Sequence, residues 1–440
     1  MSASQAEVVV VGAGAAGLFA AIHAARRGRE VLLLDGAKKI GAKILVAGGG
    51  RCNVTHHAVT ERDYHASSKP VVRNVLRSFS VQDTIDFFQN EGVFLKQEAT
   101  GKLFPTTDRA RSVLDALLNA AEQSGVRLEH PRRVLQASQT PTGFELQTES
   151  TPVQAERVIL ATGGRALPKS GSDGLGYTIA ESFGHTTSDR IFPALVPLVL
   201  PGGHAFREVA GVSLPVSLTV VARSGKHLAH TEGDLLLTHF GISGPVALDI
   251  SHAWRDAFED DHEVRVLANL HPKQTIEETD ASLRNAGAKT IQSWLRELFP
   301  DRLAAAVLDL SETSGQTACA QLTKAQRLAV RTTIHQAPLR FEGDRGWHHA
   351  EVTMGGVPLS EIRWQTMESK VTTRLHLCGE ILDVDGRIGG FNFQWAWASG
   401  YLAGNSAWSC SLTSICNSAY FRNPGTKGLL YPMYTGSPMG

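Results

Sequence analysis

The sequence predicts an α/β fold in which a parallel β-sheet carries the first part of the chain. Residues 8–11 are an unbroken run of valines, the pattern of a strand that is buried on both faces. A glycine-rich turn follows at once, and residues 18–27 then form an Ala-rich stretch that is typical of a helix. Residues 30–34 indicate a second strand, with an apolar run after Glu30. A strand, a helix and a second strand in this order predict a βαβ unit with parallel strands.

The turn after the first strand carries the G-x-G-x-x-G spacing in the required order of strand, turn and helix. Gly12 allows the tight turn, Gly14 lets the backbone approach a pyrophosphate, and Gly17 lets the helix pack closely on the strand. The second strand ends at Asp35, whose carboxylate is placed to accept a hydrogen bond from a ribose 2′-OH. The structural alternative is a tight turn that binds nothing. Because the glycines and the acid are both in register, the pattern predicts a site for the ADP half of a dinucleotide.

Composition and charge are those of an ordinary globular protein. Hydrophobic residues make up 42% of the chain, and 43 basic residues balance 43 acidic ones, so we expect neither nucleic acid nor a membrane surface as a partner. Residues 8–25 are apolar except for His23, but their glycine spacing argues against a membrane helix, and the lack of a basic segment before them argues against a signal peptide. The five cysteines form no C-x-x-C pair, which predicts reduced thiols in a cytoplasmic protein and no metal site.

A second glycine-rich segment, residues 41–55, follows the second strand. Its three consecutive glycines, residues 48–50, predict a loop whose bare backbone can lie against a ligand. Lys43 and Arg51 can add charge-assisted contacts to phosphate. The alternative is a flexible loop with a structural arginine. The position of the segment just after the dinucleotide motif favours ligand binding.

Secondary structure between the motifs follows from spacing and from helix-end signals. Apolar residues three and four apart predict helices over residues 71–79, 84–91 and 108–123, with Gly125 ending the last. Strands are predicted over residues 126–129, 133–135, 143–148, 153–157 and 157–160. Later in the chain, residues 193–199, 216–221 and 235–237 are typical of strands, and residues 290–298 and 302–308 of helices. Thr275 with Glu278 and Thr323 with Gln326 have the form of capping boxes.

Residues 12–17, Asp35 and residues 41–55 together resemble the FAD-binding start of the aminoacetone-oxidase-like or bile-acid-reductase-like flavoproteins, which have a glutathione-reductase-type FAD fold. Residues 157–164, 238–245, 350–357, 366–370 and 375–394 match further family segments, so the resemblance spans roughly residues 6–404. His56-His57 departs from it, because members commonly have Asn or a similar residue there. The resemblance implies a Rossmann-like FAD-binding domain with an inserted β-rich domain and a helical subdomain.

The domain boundaries expected on this basis divide the chain into four parts. The FAD-binding domain comprises residues 1–190 and 346–404, and the β-rich substrate or cap domain comprises residues 191–271 and 331–345. The helical subdomain is residues 272–330. Residues 405–440 are rich in Ser, Gly, Pro and Asn and are expected to form either a disordered tail or a packed extension.

The resemblance implies FAD as the cofactor. The glycine-rich block runs beside the pyrophosphate and flavin, Val134 meets the adenine, and the Ala-Thr-Gly-Gly strand end passes close to FAD. A later strand-to-helix turn offers N–H groups suited to the N1/O2 edge of reduced flavin. The expected cofactor-binding residues are Gly12, Gly14, Ala15, Ala16, Gly17, Asp35, Gly36, Lys43, Gly49, Gly50, Arg51, Cys52, Asn53, Val134, Ala161, Thr162, Gly163, Gly379, Glu380, Asp383, Gly389, Gly390, Phe391 and Asn392.

The function predicted is that of an FAD-dependent oxidoreductase that transfers hydride through flavin N5 to or from a small organic substrate. NAD(P)H is a candidate electron donor. The glycines of residues 171–176 do not have the G-x-G-x-x-G spacing, so a second dinucleotide-binding unit is not predicted for it. Family members have been linked with amine oxidation and with reduction of conjugated enones, so the direction of hydride flow stays open. His239 and Cys52 are candidate catalytic residues. The alternatives are a structural histidine and a small residue packed in a tight loop.

Three other functions are alternatives to this one. An FAD-containing RNA-modifying enzyme would be supported by a basic face, which the balanced charge does not provide. A flavin-based redox sensor would be reduced without turnover. A dehydrogenase that holds NAD at the first motif is disfavoured by the glycine block of residues 48–50 and by the strand-to-helix turn within residues 375–394.

Overall fold

We describe residues 4–407 of the chain, in a computed structural model. The helices are α1 (Ala15–Arg26), α2 (Ala42–Gly50), α3 (Lys69–Ser78), α4 (Val81–Asn90), α5 (Ala110–Gln123), α6 (Leu175–Ser182), α7 (Pro245–Asp260), α8 (Ile276–Asn285), α9 (Ile291–Leu298), α10 (Asp301–Leu310), α11 (Lys324–Gln336) and α12 (Phe391–Ser406). The strands are β1 (Ser4–Val11), β2 (Val31–Leu34), β3 (Thr55–His56), β4 (Tyr64–Ala66), β5 (Leu95–Gln97), β6 (Lys102–Pro105), β7 (Arg127–Glu129), β8 (Val134–Gln139), β9 (Phe144–Thr148), β10 (Val153–Leu160), β11 (Phe192–Ala194), β12 (Leu198–Val199), β13 (Ser213–Val221), β14 (His227–Thr238), β15 (Gly241–Ser243), β16 (Arg265–Asn269), β17 (Ala337–Leu339), β18 (Gly343–Asp344), β19 (Val352–Met354), β20 (Ile362–Arg363), β21 (Glu368–Ser369), β22 (Leu375–Leu377) and β23 (Val384–Gly386).

The first hydrophobic core surrounds a parallel sheet in which β1 lies between β2 and β10. The sheet continues from β10 to β22 and from β2 to β7, and all of these pairings are parallel. Val10 of β1 is opposite Leu33 on one side and Ile159 on the other, and all three side chains are fully buried. The predicted α/β class with a Rossmann-type sheet is therefore confirmed. One detail differs: residues 153–160 form a single strand rather than two.

The last helix returns to the first, which brings the end of the described chain against the beginning of the sheet. A Cβ on Gly400 would lie 2.6 Å from the carbonyl oxygen of Ala16, and one on Gly404 would lie 2.3 Å from that of Ala20. These two glycines of α12 thus allow a closer approach to α1 than any side chain permits. As a result, α12 runs alongside α1, with Gly400 level with the first turn of α1.

The inserted region has its own sheet and its own hydrophobic core. Its strand order is β17-β16-β13-β14-β15-β12-β18, with antiparallel pairing throughout. The core contains Trp254 of α7 and Trp294 of α9, which are nearly inaccessible to solvent. Both predicted capping boxes are present, at Thr275 and at Thr323. The interpretation of residues 191–271 as β-rich missed α7, whose buried Val246, Ile250 and Trp254 follow helical spacing.

The predicted helices over residues 71–79, 84–91 and 108–123 are confirmed as α3, α4 and α5. The short strands β5 and β6 between α4 and α5 were not predicted. They have only three and four residues and form a small sheet with β3, so their pairing rather than their sequence pattern makes them strands.

Over residues 4–407, the chain has no helix with the length and apolar character needed to cross a membrane. Cys52, Cys319 and Cys378 are buried free thiols. Most of the predicted tail or extension, from residue 408 onward, lies outside the described residues, together with Cys410 and Cys416.

Candidate functional site

A cleft of about 1200 Å³ opens where β1, β2 and β10 end. Its volume exceeds the range of ~300–1,000 Å³ typical of small-molecule sites, which leaves room for a dinucleotide together with a substrate. Open α/β sheets bind ligands outside the carboxyl ends of their strands, and this cleft has that position. Its walls come from the β1–α1 turn, α2, residues 161–176 and 348–352, and the turn before α12.

The glycines of the β1–α1 turn differ in what surrounds them. Gly12 has a φ of +103°, and a Cβ there would lie 2.5 Å from the carbonyl oxygen of Ala161. A Cβ on Gly17 would lie 1.8 Å from the carbonyl oxygen of Gly12, so close packing within the protein requires both glycines. A Cβ on Gly14 would meet no protein atom within 4 Å, and Gly14 lines the cleft. The bare backbone at Gly14 therefore leaves free a space that belongs to the cleft, as close approach of a pyrophosphate requires.

Asp35 lies at the end of the cleft formed by β2 and the start of β8. Its Oδ2 accepts a hydrogen bond from the Ala13 N–H at 2.6 Å, and its Oδ1 accepts one from the Ala37 N–H at 2.7 Å. Each carboxylate oxygen has a further lone pair, so the side chain can also accept a hydrogen bond from a ribose hydroxyl. Gly36 and Val134 line the same end. The residues expected to hold the adenosine therefore lie together.

The segment of residues 41–55 begins as a helix, and the loop predicted at its three glycines is a turn at the end of that helix. Its first half belongs to α2, because its apolar residues pack against α5. The helical geometry breaks at Ala47, and Gly48, Gly49 and Gly50 all have positive φ. Of these three glycines, Gly48 lines the cleft.

The two cations of this segment already have partners. Lys43 Nζ lies 2.5 Å from Glu380 Oε2, and both residues line the cleft. Arg51 forms an ion pair with Glu98 at 2.6 Å, and its guanidinium lies 4.0 Å from the centre of the Phe104 ring. A phosphate contact by Lys43 or Arg51 would either add to these interactions or replace them.

The first turn of α12 faces the other end of the cleft. Gly390 precedes it with a φ of +93°, and a Cβ there would lie 2.7 Å from the backbone of Thr55. No side chain caps the helix, and Gly390, Asn392 and Phe393 line the cleft, so the first N–H groups and the positive end of the helix dipole are available to a ligand there. Asn392 is held by two hydrogen bonds of 2.8 Å with the backbone of Gly386.

Most of the residues predicted to bind a cofactor line this one cleft. They are Gly12, Gly14, Ala15, Ala16, Asp35, Gly36, Lys43, Arg51, Asn53, Val134, Ala161, Thr162, Gly163, Gly379, Glu380, Gly389, Gly390 and Asn392. The cleft lining does not include Gly17, Gly49, Gly50, Cys52, Asp383 or Phe391. Of these, Gly17 and Phe391 are packed inside the protein, where they support the two turns.

Buried polar atoms without a partner lie along the same walls. Asn53 Oδ1, Thr162 Oγ1 and Ser172 Oγ accept or donate no hydrogen bond within the described structure, and all three residues line the cleft. Such orphaned groups are costly unless a ligand satisfies them. Together with the open space at Gly14 and the uncapped helix, they fit a dinucleotide such as FAD.

The two candidate catalytic residues are not at the cleft surface. His239 is exposed on the turn between β14 and β15, its ring lies against Phe240, and it does not line the cleft. Cys52 is fully buried, and burial raises the pKa of its thiol to about 12. The structure therefore brings neither residue to a position where it could transfer a proton to a substrate in the cleft.

Several residues of the site were not identified from the sequence. Lys102 of β6, Leu195, Glu351 and Ile388 line the cleft, as do residues 167–173. Residues 350–357 are one of the segments that resemble the family. Within it, Glu351 is a lone glutamate between two apolar residues at a strand end, and this pattern could have indicated a site residue. Lys102 carried no signal, since its place depends on the pairing of β6 with β3.

One group in the described part of the chain has the spacing of metal ligands, although no metal was predicted. Ligand atoms of His65, His252 and Asp385 lie within 4.8 Å of one another, outside the cleft lining. The two imidazole rings are stacked at 3.6 Å with an interplanar angle of 13°, and His252 Nδ1 lies 2.8 Å from Asp385 Oδ2. Ring nitrogens bind metals in the ring plane, so nearly parallel rings do not direct their lone pairs to a common point. This geometry is that of a stacked, hydrogen-bonded cluster.

Comparison with known proteins covers nearly the whole described chain. Residues 6–406 match the family described as HI0933-like protein Rossmann domain. The chain is 36% identical over 405 residues to a 3-dehydro-bile acid delta(4,6)-reductase of Clostridium scindens, an alignment that covers 90% of this chain and 98% of the relative. It is 34% identical over 411 residues to the ribosomal RNA dihydrouridine synthase of Escherichia coli, which covers 92% and 97% of the two chains. Among solved structures, 3-ketosteroid-delta4-(5alpha)-dehydrogenase from Rhodococcus jostii RHA1 is similar with a TM-score of 0.47 and 16% identity over 92% of this chain and 97% of that one.

Proposed function

This chain belongs to the HI0933-like family of FAD-binding Rossmann proteins, and from that premise we propose that it is an FAD-dependent reductase of carbon–carbon double bonds conjugated to a carbonyl group. Membership supports a general flavin redox role. The proposal adds the direction of hydride flow and the type of bond that is reduced.

The names of the two relatives describe one type of reaction on different molecules. A bile acid with a 3-oxo group and double bonds at positions 4 and 6 is a conjugated dienone, and the first relative is named as its reductase. Dihydrouridine is uridine with two hydrogens added across a double bond that is conjugated to a ring carbonyl, and the second relative is named as its synthase. Both names therefore describe addition of hydride and a proton across an activated double bond. Amine oxidation, the other chemistry open at the outset, has no such support.

The observation that carries the proposal is the single cleft that joins the dinucleotide motif to the uncapped start of α12. Asp35 and the backbone at Gly14 would hold the adenosine and pyrophosphate, and the glycine turn before α12 would hold the flavin edge. When bound, FAD supplies a hydride from N5 and accepts electrons again from a donor, for which we propose a reduced nicotinamide. The positive end of the α12 dipole would favour the negative charge of a reduced flavin at its N1/O2 edge.

The protein side of the reaction is to hold a flat acceptor next to the flavin and to exclude water. Leu195, Ile388 and Phe393 supply apolar surface in the cleft near the start of α12. Apolar walls suit a carbocyclic enone, and the equal numbers of acidic and basic residues favour a small molecule over a polyanion. We therefore propose a small conjugated enone as the substrate class.

Uridine in ribosomal RNA is the second candidate. It is favoured by the 34% identity to the Escherichia coli synthase over 92% of this chain and by Lys38, Lys39 and Lys169, which line the cleft. In both candidate substrates, a conjugated double bond would be reduced at the flavin end of the cleft. The two substrates differ in the rest of the molecule.

The test starts with the visible spectrum of the purified protein and its anaerobic response to NADH and NADPH. We expect a flavin spectrum that is bleached by one of the two and restored by 4-androstene-3,17-dione, with the saturated ketone as product. Restoration by unmodified ribosomal RNA, with formation of dihydrouridine, would transfer the function to the second candidate. A protein that takes up no FAD, or whose reduced flavin neither acceptor reoxidises, would overturn the proposal.

A further inference from the structure

Reduction of a double bond requires a proton as well as a hydride, and Glu351 carries a carboxyl group in the cleft. It belongs to the segment of residues 348–352, which lines the cleft. Its neighbours Ala350 and Val352 are 0% and 4% exposed, and its own N–H donates a hydrogen bond of 3.2 Å to the carbonyl oxygen of Leu195. The backbone is thus anchored while the side chain remains exposed to the cleft. Within residues 4–407, its carboxyl group forms neither an ion pair nor a side-chain hydrogen bond.

The surroundings of Glu351 place it at the flavin end of the cleft rather than at the adenosine end. The charged groups that act on its carboxyl are Lys102, Asp249 and Lys43. Lys102 Cε lies 3.8 Å from the position that a Cβ on Gly389 would occupy, in the turn before α12. Asp249 of α7 accepts a hydrogen bond of 2.6 Å from the N–H of Ile388 in the same turn. The adenosine end, with Asp35 and Val134, contributes none of these groups.

The carboxyl group of Glu351 is a weaker acid than that of an ordinary glutamate. Protein surrounds it closely, and this enclosure raises its pKa above the ordinary value, while Lys102 and Lys43 act in the opposite direction and Asp249 reinforces the rise. A ligand that fills the cleft would displace the water that reaches the carboxyl, which further disfavours the charged form. The imidazoles of His348 and His349 line the cleft just before Glu351, and that of His349 is held by Arg345 at 3.0 Å. A carboxyl with a raised pKa holds its proton more tightly than an ordinary glutamate, which favours a role as a general acid.

We propose that Glu351 is the proton donor of the double-bond reduction at this site, an inference that rests on the proposed function. The β-carbon of the conjugated double bond gains a hydride from flavin N5, and the α-carbon gains the proton of the Glu351 carboxyl. The π bond of the substrate is lost as two C–H bonds form, and the carbonyl group is restored. Glu351 is left as a carboxylate and regains a proton from water, while the two electrons come from the reduced nicotinamide that reduces the flavin.

The other acids near the cleft are less suited to this role. The Asp249 carboxylate is engaged with the Ile388 N–H and does not line the cleft. Glu380 is held by Lys43 and by the Thr353 N–H, which donates to its Oε1 at 2.9 Å. Glu98 lines the cleft but is paired with Arg51. Glu351 is the carboxyl group of this set that is both exposed to the cleft and without a partner.

The experiment separates flavin reduction from substrate reduction in the FAD-loaded protein. Flavin is reduced anaerobically with dithionite, and its oxidation is followed by stopped flow with two acceptors: the conjugated substrate that the wild type reduces, starting with 4-androstene-3,17-dione, and ferricyanide, which takes electrons and needs no proton on carbon. We expect E351Q to keep the wild-type rate with ferricyanide and to lose about 100-fold or more with the conjugated substrate. The matched control E342Q changes an exposed glutamate outside the cleft and should match the wild type with both acceptors.

The pH profile gives a second readout. The wild-type rate with the conjugated substrate should fall as pH rises through the pKa of Glu351, E351D should retain such a fall at a lower rate, and E351Q should show none. In the protein without FAD, infrared difference spectra between wild type and E351Q should show a carboxyl band that titrates above the range of an ordinary glutamate.

The possible failures are distinguishable. If the wild type is oxidised by ferricyanide and by no conjugated acceptor, the proposed function fails and the role of Glu351 fails with it. If the wild type reduces a conjugated acceptor and E351Q does so at the same rate, the function stands and the role of Glu351 is overturned. If E351Q does not retain FAD, the pH profile of E351D decides, and a flat profile overturns the role.

Discussion

The ammonium group of Lys43 lies 2.5 Å from Oε2 of Glu380, although 337 positions of sequence separate the two residues. Oε1 of Glu380 also accepts a hydrogen bond from the N–H of Thr353 at 2.9 Å. One carboxylate thus connects α2, the strand end that follows Glu351, and the turn that leads to α12. All three segments form walls of the cleft, so the ion pair connects these walls beside the proposed position of the FAD.

Lys43→Met should weaken FAD binding by about tenfold or more. A charge-assisted hydrogen bond contributes about 1.5–3 kcal/mol, and 1.4 kcal/mol corresponds to a factor of ten in affinity. The variant also leaves the Glu380 carboxylate unpaired near the proposed path of the pyrophosphate. Titration of FAD fluorescence measures the dissociation constant. The double variant Lys43→Met/Glu380→Gln should recover part of the loss, and an unchanged affinity in Lys43→Met would show that the pair does not support the cofactor.

Gly14→Val and Gly17→Ala should separate binding from folding. The position of a Cβ on Gly14 is open to the cleft, so Gly14→Val should fold normally and lose FAD binding. A Cβ on Gly17 would lie 1.8 Å from a backbone oxygen, so Gly17→Ala should lower the free energy of unfolding by about 2 kcal/mol or more. Thermal unfolding of the FAD-free proteins and fluorescence titration give the two quantities. Equal loss of stability in both variants would contradict this division.

The contrast between these glycines indicates what sequence alone could predict. The roles of Gly12 and Gly17 could be predicted because their motif is local in sequence, even though the close contact of Gly12 is with Ala161, just after β10. The partner of Lys43 could not be predicted, because it is set by the return of α12 to α1 through Gly400 and Gly404. A phosphate contact was the natural expectation for a lysine near a dinucleotide motif, and tertiary packing supplied a carboxylate as well.

Helix α7 and the cleft position of Glu351 are two further features that were not predicted from the sequence alone. Residues 245–260 have helical spacing, but they follow a strand-like run and were interpreted as part of a β-rich domain. Glu351 stands within a segment recognised as similar to a family, yet the sequence does not indicate that its side chain faces a cleft. The exposure of a side chain in a cleft depends on segments that are distant in sequence, and for Glu351 these include β6, which contributes Lys102 to the cleft.

Cys52 should prove unreactive and dispensable for electron transfer. The thiol is fully buried, and burial raises its pKa to about 12, so the nucleophilic thiolate is scarce at pH 8. Iodoacetamide labelling of the folded protein at pH 8, mapped by mass spectrometry, should leave Cys52 unmodified until the protein is unfolded. Cys52→Ala should keep the wild-type rate of flavin oxidation by ferricyanide. Rapid labelling of Cys52, with loss of that rate in the variant, would restore it as a redox candidate.

The His252–Asp385 pair should make the stability of the protein depend on pH above neutrality. Burial alone lowers the pKa of His252, but the Asp385 charge, the 2.8 Å hydrogen bond to it, and the charges of Asp256 and Asp383 together raise it above the ordinary value of 6.5. The folded state therefore holds this proton more tightly than the unfolded state. The resulting stabilisation is fully present below about pH 6.5 and is lost as pH rises through the folded-state pKa. His65, stacked on His252, behaves oppositely: burial first, and then the charge of His252, lower its pKa to about 4, so it affects stability only at lower pH.

Urea unfolding at intervals between pH 5 and 9 measures this dependence. The difference in free energy of unfolding between wild type and His252→Gln should be largest near pH 6 and should shrink toward pH 9, because only the wild type loses a proton-linked contribution over that range. His65→Gln should show no such narrowing above pH 6.5. Since His252 lies on α7 of the inserted region and Asp385 on β23, the same experiment reports whether this contact between the two parts of the fold is ionic. A difference that is constant from pH 6 to 9 would mean that His252 is neutral in the folded protein.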